Sequence, residues 1–189
     1  MRILRSADHK RMPWKNGKGE TVEIAVWPPG ATVENFDWRI SMATVAEDGP
    51  FSVFEGIDRT LSLLSGEGMT LSVAGQDPVI LDRETPPYSF PADTPTDATL
   101  LSGPITDLNV MTRRGAFIHR VDRIVTRELR LSPSSDLRIL LTLSELQDGR
   151  GQFVLEPFDA LLLDGHEQVT LTSSQPVTIF VVEIDALKA

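Results

Sequence analysis

Arg39 and Ser41 stand two residues apart in Phe36-Asp37-Trp38-Arg39-Ile40-Ser41-Met42-Ala43, a segment that alternates strictly between apolar and polar positions. In an extended chain, residues two apart point to the same side. A guanidinium and a hydroxyl therefore share one face, while Phe36, Trp38, Ile40 and Met42 form the other. A guanidinium fork can hold a carboxylate through two parallel hydrogen bonds, and a hydroxyl or carboxamide adds one more. The same alternation recurs in Ile105–Arg113, where Asp107, Asn109, Met111 and Arg113 share a face. The chemistry this pattern offers is recognition of a small anion. The competing reading for Arg39 is a structural ion pair with Asp37 or Asp107; Arg113 and Arg114 read as surface or structural ion-pair residues.

A second cluster sits in Met12-Pro13-Trp14-Lys15-Asn16-Gly17-Lys18-Gly19. Pro13 fixes its own φ and biases Met12 toward extended geometry. Asn16-Gly17 and Gly19 supply positions that tolerate positive φ, so a tight turn is expected. That turn presents an indole, an ammonium and a carboxamide just before Thr21-Val22-Glu23-Ile24-Ala25-Val26, which has the period of a half-buried strand. Trp14 and Phe51 can wall a pocket with apolar surface. The plainer alternative is a hairpin with solvated lysines and a core indole.

Other chemistries find little support. The three histidines, His9, His119 and His166, are scattered, with no two at ligand spacing, so no metal site is expected. The chain has no cysteine, hence no thiolate nucleophile or disulfide. It also lacks a Gly-x-Ser-x-Gly elbow. Glu47 and Asp48 fall in a turn and read as solvated, and Glu20 and Glu23 have opposite parity along an extended segment. No catalytic residue and no cofactor are expected.

The elements that must position these groups are strands. Segments are expected at 20–26, 36–43, 51–54, 59–64, 69–73, 79–81, 88–90, 98–101 and 105–113. In the second half they are expected at 117–131, 137–143, 153–155, 160–163, 169–171 and 177–184. Gly66-Glu67-Gly68 reads as a hairpin signal, residues 84–97 as a proline-rich connection, and Ser144-Glu145-Leu146-Gln147 as a brief helix-like turn. Many short strands about ten residues apart predict an all-β sandwich or barrel.

The net charge of −9 argues against nucleic acid as a partner. Basic residues nevertheless cluster. Residues 1–20 hold six of the eighteen Lys/Arg, and residues 113–130 hold six more, which would make a local positive region if the two segments met. No apolar run approaches the roughly 20 residues of a membrane helix, and Met1-Arg2-Ile3-Leu4-Arg5 does not open a secretory signal. The expected location is cytoplasmic. The partners expected are a small anionic metabolite and a second copy of the chain in a homodimer, without nucleic acid or membrane.

Four signatures occur in order: Met12-Pro13-Trp14-Lys15-Asn16-Gly17-x-Gly19-x-Thr21-x-Glu23-Ile24, Phe36-x-Trp38-Arg39-x-Ser41, Gly49-Pro50-Phe51-Ser52-x-Phe54-x-Gly56-x-x-Arg59, and Asp107-Leu108-Asn109-x-Met111-x-Arg113. Together they resemble the HutD/Ves family, strongly over residues 12–115 and in strand pattern beyond. The resemblance implies a bicupin, two small β-barrels in one chain, here expected at 1–115 and 116–189. It also implies an accessory or regulatory role in histidine utilisation, with urocanate or N-formylglutamate as ligand; Ves-like members are associated instead with stress. Carried onto this chain, it implies a ligand set of Trp14, Lys15, Asn16, Thr21, Arg39, Ser41, Phe51, Arg59, Asn109 and Met111, converging near the mouth of the first barrel. The rival readings are a cupin isomerase or hydrolase acting on a small polar metabolite, and an interaction scaffold without a ligand.

Overall fold

The computed structural model describes residues 1–14, 17 and 19–188. Its strands are β1 (Arg2–Leu4), β2 (Lys10–Pro13), β3 (Gly19–Trp27), β4 (Trp38–Val45), β5 (Gly49–Pro50), β6 (Ile57–Ser65), β7 (Met69–Val73), β8 (Val79–Leu81), β9 (Tyr88–Pro91), β10 (Thr96–Leu100) and β11 (Ile105–Arg113). The chain continues through β12 (Phe117–Leu131), β13 (Leu137–Thr142), β14 (Leu146–Asp148), β15 (Val154–Leu155), β16 (Ala160–Asp164) and β17 (Val169–Ala186). The only helical element among the described residues is a 3₁₀ turn at Ser6–Asp8, and no helix is long and apolar enough to cross a membrane. The helix-like turn expected at Ser144–Gln147 is instead the entry to β14, because Leu146 is fully buried and pairs with Leu155. The two strands expected at 169–171 and 177–184 are one continuous strand, β17.

The chain divides into two compact units, one spanning Lys10–Ile118 and the other Met1–His9 with His119–Ala189. The opening residues thus group with the C-terminal half, where β1 pairs with β16 in the register Arg2↔Leu162 to Leu4↔Ala160. The buried carboxylate of Asp159 holds them there. It accepts from Arg5 Nη1 at 2.6 Å and from the Ser6 amide at 2.7 Å. Burial alone would push the Asp159 carboxyl up; the Ser6 and Glu156 amides and Arg5 outweigh it and hold the group below the usual carboxylate range.

The C-terminal unit is a seven-stranded sheet ordered β1-β16-β13-β17-β14-β15, with β12 also pairing β17. Its core cluster includes Leu140, Leu155, Leu161, Leu163, Leu171 and Ile179, all fully buried, and Arg138 is buried on the same strand face as Leu140, donating to Glu167 O. The unit spanning Lys10–Ile118 is built from a six-stranded sheet, β2-β3-β4-β11-β6-β9, and a four-stranded sheet, β5-β10-β7-β8. Val45, Leu61, Leu63 and Ile105 from the first meet Met69, Leu71, Val73 and Ala98 from the second in a common core.

The Lys10–Ile118 unit departs from simple alternation at two places. A register shift between Glu23 and Ala25 places Val26 opposite Arg39, so Val26 joins the face of Thr21 and Glu23 rather than that of Val22 and Ile24. Gly66–Gly68 does not close a hairpin. It carries the chain from β6 in one sheet to β7 in the other. Both glycines have positive φ, and a Cβ on Gly66 would meet Ile105 Cγ2 at 2.7 Å and Pro104 O at 2.8 Å, so only glycine fits this corner.

The Asp159 anchor is directly testable. Asp159→Ala should cost about 2–4 kcal/mol, since it strands the Arg5 guanidinium and the Ser6 and Glu156 amides that the carboxylate now satisfies. Hydrogen exchange should show the amides of Arg2–Leu4 losing protection before those of β13. Unchanged protection in β1 would mean that pairing with β16 alone secures the N-terminus.

Candidate functional site

Strand β11 runs between β4 and β6, and its register decides which side chains meet. Met111 stands opposite Arg39 on one side and Arg59 on the other; Asn109 stands opposite Ser41 and Leu61, and Asp107 opposite Ala43 and Leu63. Residues directly opposite in an antiparallel pair point to the same face. Two guanidinium groups, a hydroxyl, a carboxamide and a carboxyl thus project from one sheet face. Neighbouring strands lie about 4.8 Å apart, so the two arginine backbones are separated by roughly 10 Å with Met111 between them.

These side chains line a cavity of about 520 Å³ inside the Lys10–Ile118 unit. That is within the usual range of small-molecule sites, roughly 300–1,000 Å³. Trp14, Thr21, Arg39, Ser41, Phe51, Arg59, Asn109 and Met111, eight of the ten positions in the expected ligand set, lie along its walls. Lys15 and Asn16 lie outside the described residues. Phe54, Ala98 and Asp107 complete the interior, and Glu47 and Asp48 stand exposed at the mouth, where Asp48 also accepts from the Leu100 amide at 2.7 Å.

Each donor is held in place. Trp14 donates from its indole N–H to Thr21 Oγ1 at 2.8 Å, and its backbone N–H bonds Gly19 O, which fixes the indole against the wall. A side chain at Gly19 would collide with that ring, since a Cβ would lie 2.9 Å from Trp14 Cε3. Arg39 is buried and donates from Nε to Glu23 Oε2 at 2.7 Å. The ion pair expected for Arg39 therefore exists, with Glu23 in place of Asp37 or Asp107. Its Nη groups make no hydrogen bond to the described residues. Arg113 and Arg114 lie outside the cavity and pair with Asp37, and with Asp58 and Asp93. Arg5, Arg11, Arg120 and Arg130 also each meet a carboxylate, so much of the basic clustering is spent in ion pairs.

Arg59 is the least conventional group. Only 4% exposed, it has no carboxylate in contact. Its guanidinium carbon lies 5.3, 5.2 and 5.9 Å from the ring centroids of Phe51, Phe54 and Phe90, and Nη2 reaches Met111 Sδ at 3.4 Å. Its Nε is buried without a hydrogen-bond partner. Burial pulls the guanidinium down to about 10, against the favourable pull of Asp107, so it stays cationic at neutral pH. Asp107 is fully buried. Desolvation pushes its carboxyl up to about 7 despite the opposing influence of Arg59 and of the Asn109 amide, which donates to Oδ1.

The donor set does not fit a metal centre. No histidine lines the cavity, and among the described residues no three His, Cys, Asp or Glu side chains converge as metal ligands. His166 is exposed in the turn before β17, and His9 and His119 are likewise absent from the cavity wall.

A family model described as HutD matches residues 6–181. An uncharacterised 21.2 kDa protein in the hutC 3′ region of Pseudomonas putida is 31% identical over 175 residues, 89% of this chain and 90% of that one. Protein Ves of Citrobacter koseri is 40% identical over 111 residues, 57% of this chain and 56% of its own length. The structure of HutD from Pseudomonas fluorescens SBW25 in a formate condition superposes with a TM-score of 0.85 at 28% identity, over 99% of both chains. The fold is that of a bicupin.

Asp107 predicts a pH signature in stability. Its folded pKa lies above the unfolded carboxyl value of about 3.9. The native state therefore holds more protons between about pH 4 and pH 7, and stability falls as pH rises through that window. Melting temperatures of wild type measured against Asp107→Asn should diverge across this window and run parallel outside it. A constant offset from pH 4 to pH 8 would contradict a buried titrating carboxyl.

Proposed function

This chain belongs to the HutD family, which is associated with histidine utilisation, and from that premise we propose that the first barrel binds a small carboxylate. One observation carries the reading: two buried guanidinium groups, Arg39 and Arg59, line the same cavity, and Arg59 has no carboxylate in contact and an Nε without a hydrogen-bond partner among the described residues. A buried cation left in this condition costs several kcal/mol, and an incoming carboxylate relieves it with charge-assisted hydrogen bonds. Trp14, Phe51 and Phe54 supply apolar walls against which a planar or short aliphatic body can lie.

N-formylglutamate and urocanate are the ligands we propose, as intermediates of histidine breakdown with the size and charge the cavity suits. The role proposed is accessory or regulatory in histidine catabolism, with arginines rather than a metal holding the anion. The buried Asp107 favours a second reading, in which the same cavity catalyses acid–base chemistry on such a carboxylate.

Calorimetric titration with both compounds tests these readings. Arg39→Ala should weaken binding at least about tenfold, equivalent to about 1.4 kcal/mol. Arg39→Lys should restore only part of the loss, because an ammonium cannot reproduce the fork. Loss of Arg39 also leaves Glu23 without its partner, so the Arg39→Ala/Glu23→Gln double variant separates the missing donor from the uncovered acid. Continuing heat after saturation would indicate turnover. Unchanged affinity in a folded Arg39→Ala protein would remove Arg39 from the site.

A further inference from the structure

Arginine forks alone do not use everything the cavity presents. Asp107 is wholly buried, and its two oxygens are treated unequally. Oδ1 accepts from Asn109 Nδ2, whereas Oδ2 has no hydrogen-bond partner. Arg59 leaves its Nε unpartnered in the same cavity, and no ion pair joins the two residues. An ionised carboxylate is acceptor-only, so Oδ2 would set a bare lone pair beside any anion that the arginines draw in. A neutral acid would instead offer that anion an O–H.

We propose that Asp107 recognises the ligand as a neutral acid, donating its Oδ2 hydrogen to an oxygen of the bound anion, so that an anion entering while Asp107 is ionised brings one proton in with it. The inference rests on the carboxylate reading above and adds a selection rule, which N-formylglutamate meets and urocanate, with its single carboxylate, does not. The ligand must carry, beside the oxygens held by the guanidinium groups, a further oxygen that can accept from an acid. A carboxylate, formyl or acyl oxygen meets the condition. The ammonium of a free amino acid does not.

The surroundings of Asp107 decide the sign. Arg59 on β6 favours its charged form, as do the Asn109 carboxamide and the Ala43 backbone amide, while Arg39 on β4 is already neutralised by Glu23 on β3. Glu47 and Asp48 stand at the solvated mouth, and the facing sheet lines the cavity with uncharged Ala98. Burial opposes ionisation and balances these groups close to neutrality. A bound anion cancels the positive field that remained, and the balance then falls to the protonated form.

Titrating the full chain with N-formylglutamate in phosphate and in Tris, whose ionisation enthalpies differ, counts the protons directly. With burial raising the free carboxyl to about 7, uptake should approach one proton per anion well above that pH and vanish well below it, and affinity should fall by up to about tenfold per pH unit on the alkaline side. Asp107→Asn cannot change protonation and should abolish both the uptake and the pH dependence; the wild-type count stands without it if that variant folds poorly. γ-Aminobutyrate, whose single carboxylate leaves only an ammonium to face Asp107, should bind more weakly than its N-formyl derivative at pH 6, where Asp107 is a donor. Binding whose heat is the same in both buffers at pH 8, or that releases protons, overturns the role of Asp107 and leaves the carboxylate reading intact. Absence of binding at either pH overturns both.

Discussion

Keeping a guanidinium charged inside a protein costs several kcal/mol unless something repays the lost hydration, and this fold buries two of them on one sheet face. They are compensated by different means. Arg39 has a carboxylate, Glu23, at 2.7 Å. Arg59 has three phenyl faces and a thioether, contacts worth about 0.5–2 kcal/mol per ring that offset only part of its lost hydration, since burial still pulls its pKa down to about 10. Asp107, the acid whose charge favours it, is itself so buried that its carboxyl is pushed up to about 7. The result is a cavity whose inner wall holds one guanidinium, that of Arg59, with no carboxylate in contact and an unmet donor. On the proposed reading a small anion completes it.

The two halves of the bicupin carry this burden unequally. The C-terminal unit packs leucine, isoleucine and valine in its core cluster and buries a single guanidinium beside them, Arg138, which donates to Glu167 O and leaves its Nε unpartnered. The Lys10–Ile118 unit fills one part of its interior with Leu61, Leu63, Met69 and Leu71 and leaves the rest to Arg39, Ser41, Arg59, Asp107 and Asn109. Polar groups aligned on a buried face are costly to keep and are expected where function requires them. On that ground, and because two guanidinium groups line one cavity there, the site we propose is assigned to the first barrel.

Period-two alternation made part of this site legible. It paired Arg39 with Ser41 and Asp107 with Asn109 and Met111, and the sheet brings those two faces side by side through the register Ser41↔Asn109. Arg59 offered no such signal of its own, since Asp58 and Thr60 flank it and nothing local announces three phenylalanines gathered from separate segments; it came through the family signature. Glu23 as the partner of Arg39 was hidden because nothing local announces the pairing of β3 with β4 in the register Glu23↔Ser41, which sets the carboxylate diagonally beside Arg39 on one face. Asp107 was visible on the correct face, but its significance depends on complete burial, a tertiary property that spacing does not encode. Gly66–Gly68 had the composition of a hairpin and proved to be a corner between sheets, a distinction set by what packs around the glycines rather than by the glycines themselves.

The central claim, that two buried arginines and a neutral aspartic acid together hold a carboxylate, is tested most directly by a crystal structure of the chain with N-formylglutamate at a resolution that places individual oxygens. The account predicts a ligand carboxylate within about 3 Å of the guanidinium nitrogens of Arg39 or Arg59, with another ligand oxygen within about 2.7 Å of Asp107 Oδ2. A ligand seated elsewhere, or one that turns a carbon or an ammonium toward Asp107 and leaves both arginines unengaged, would contradict it.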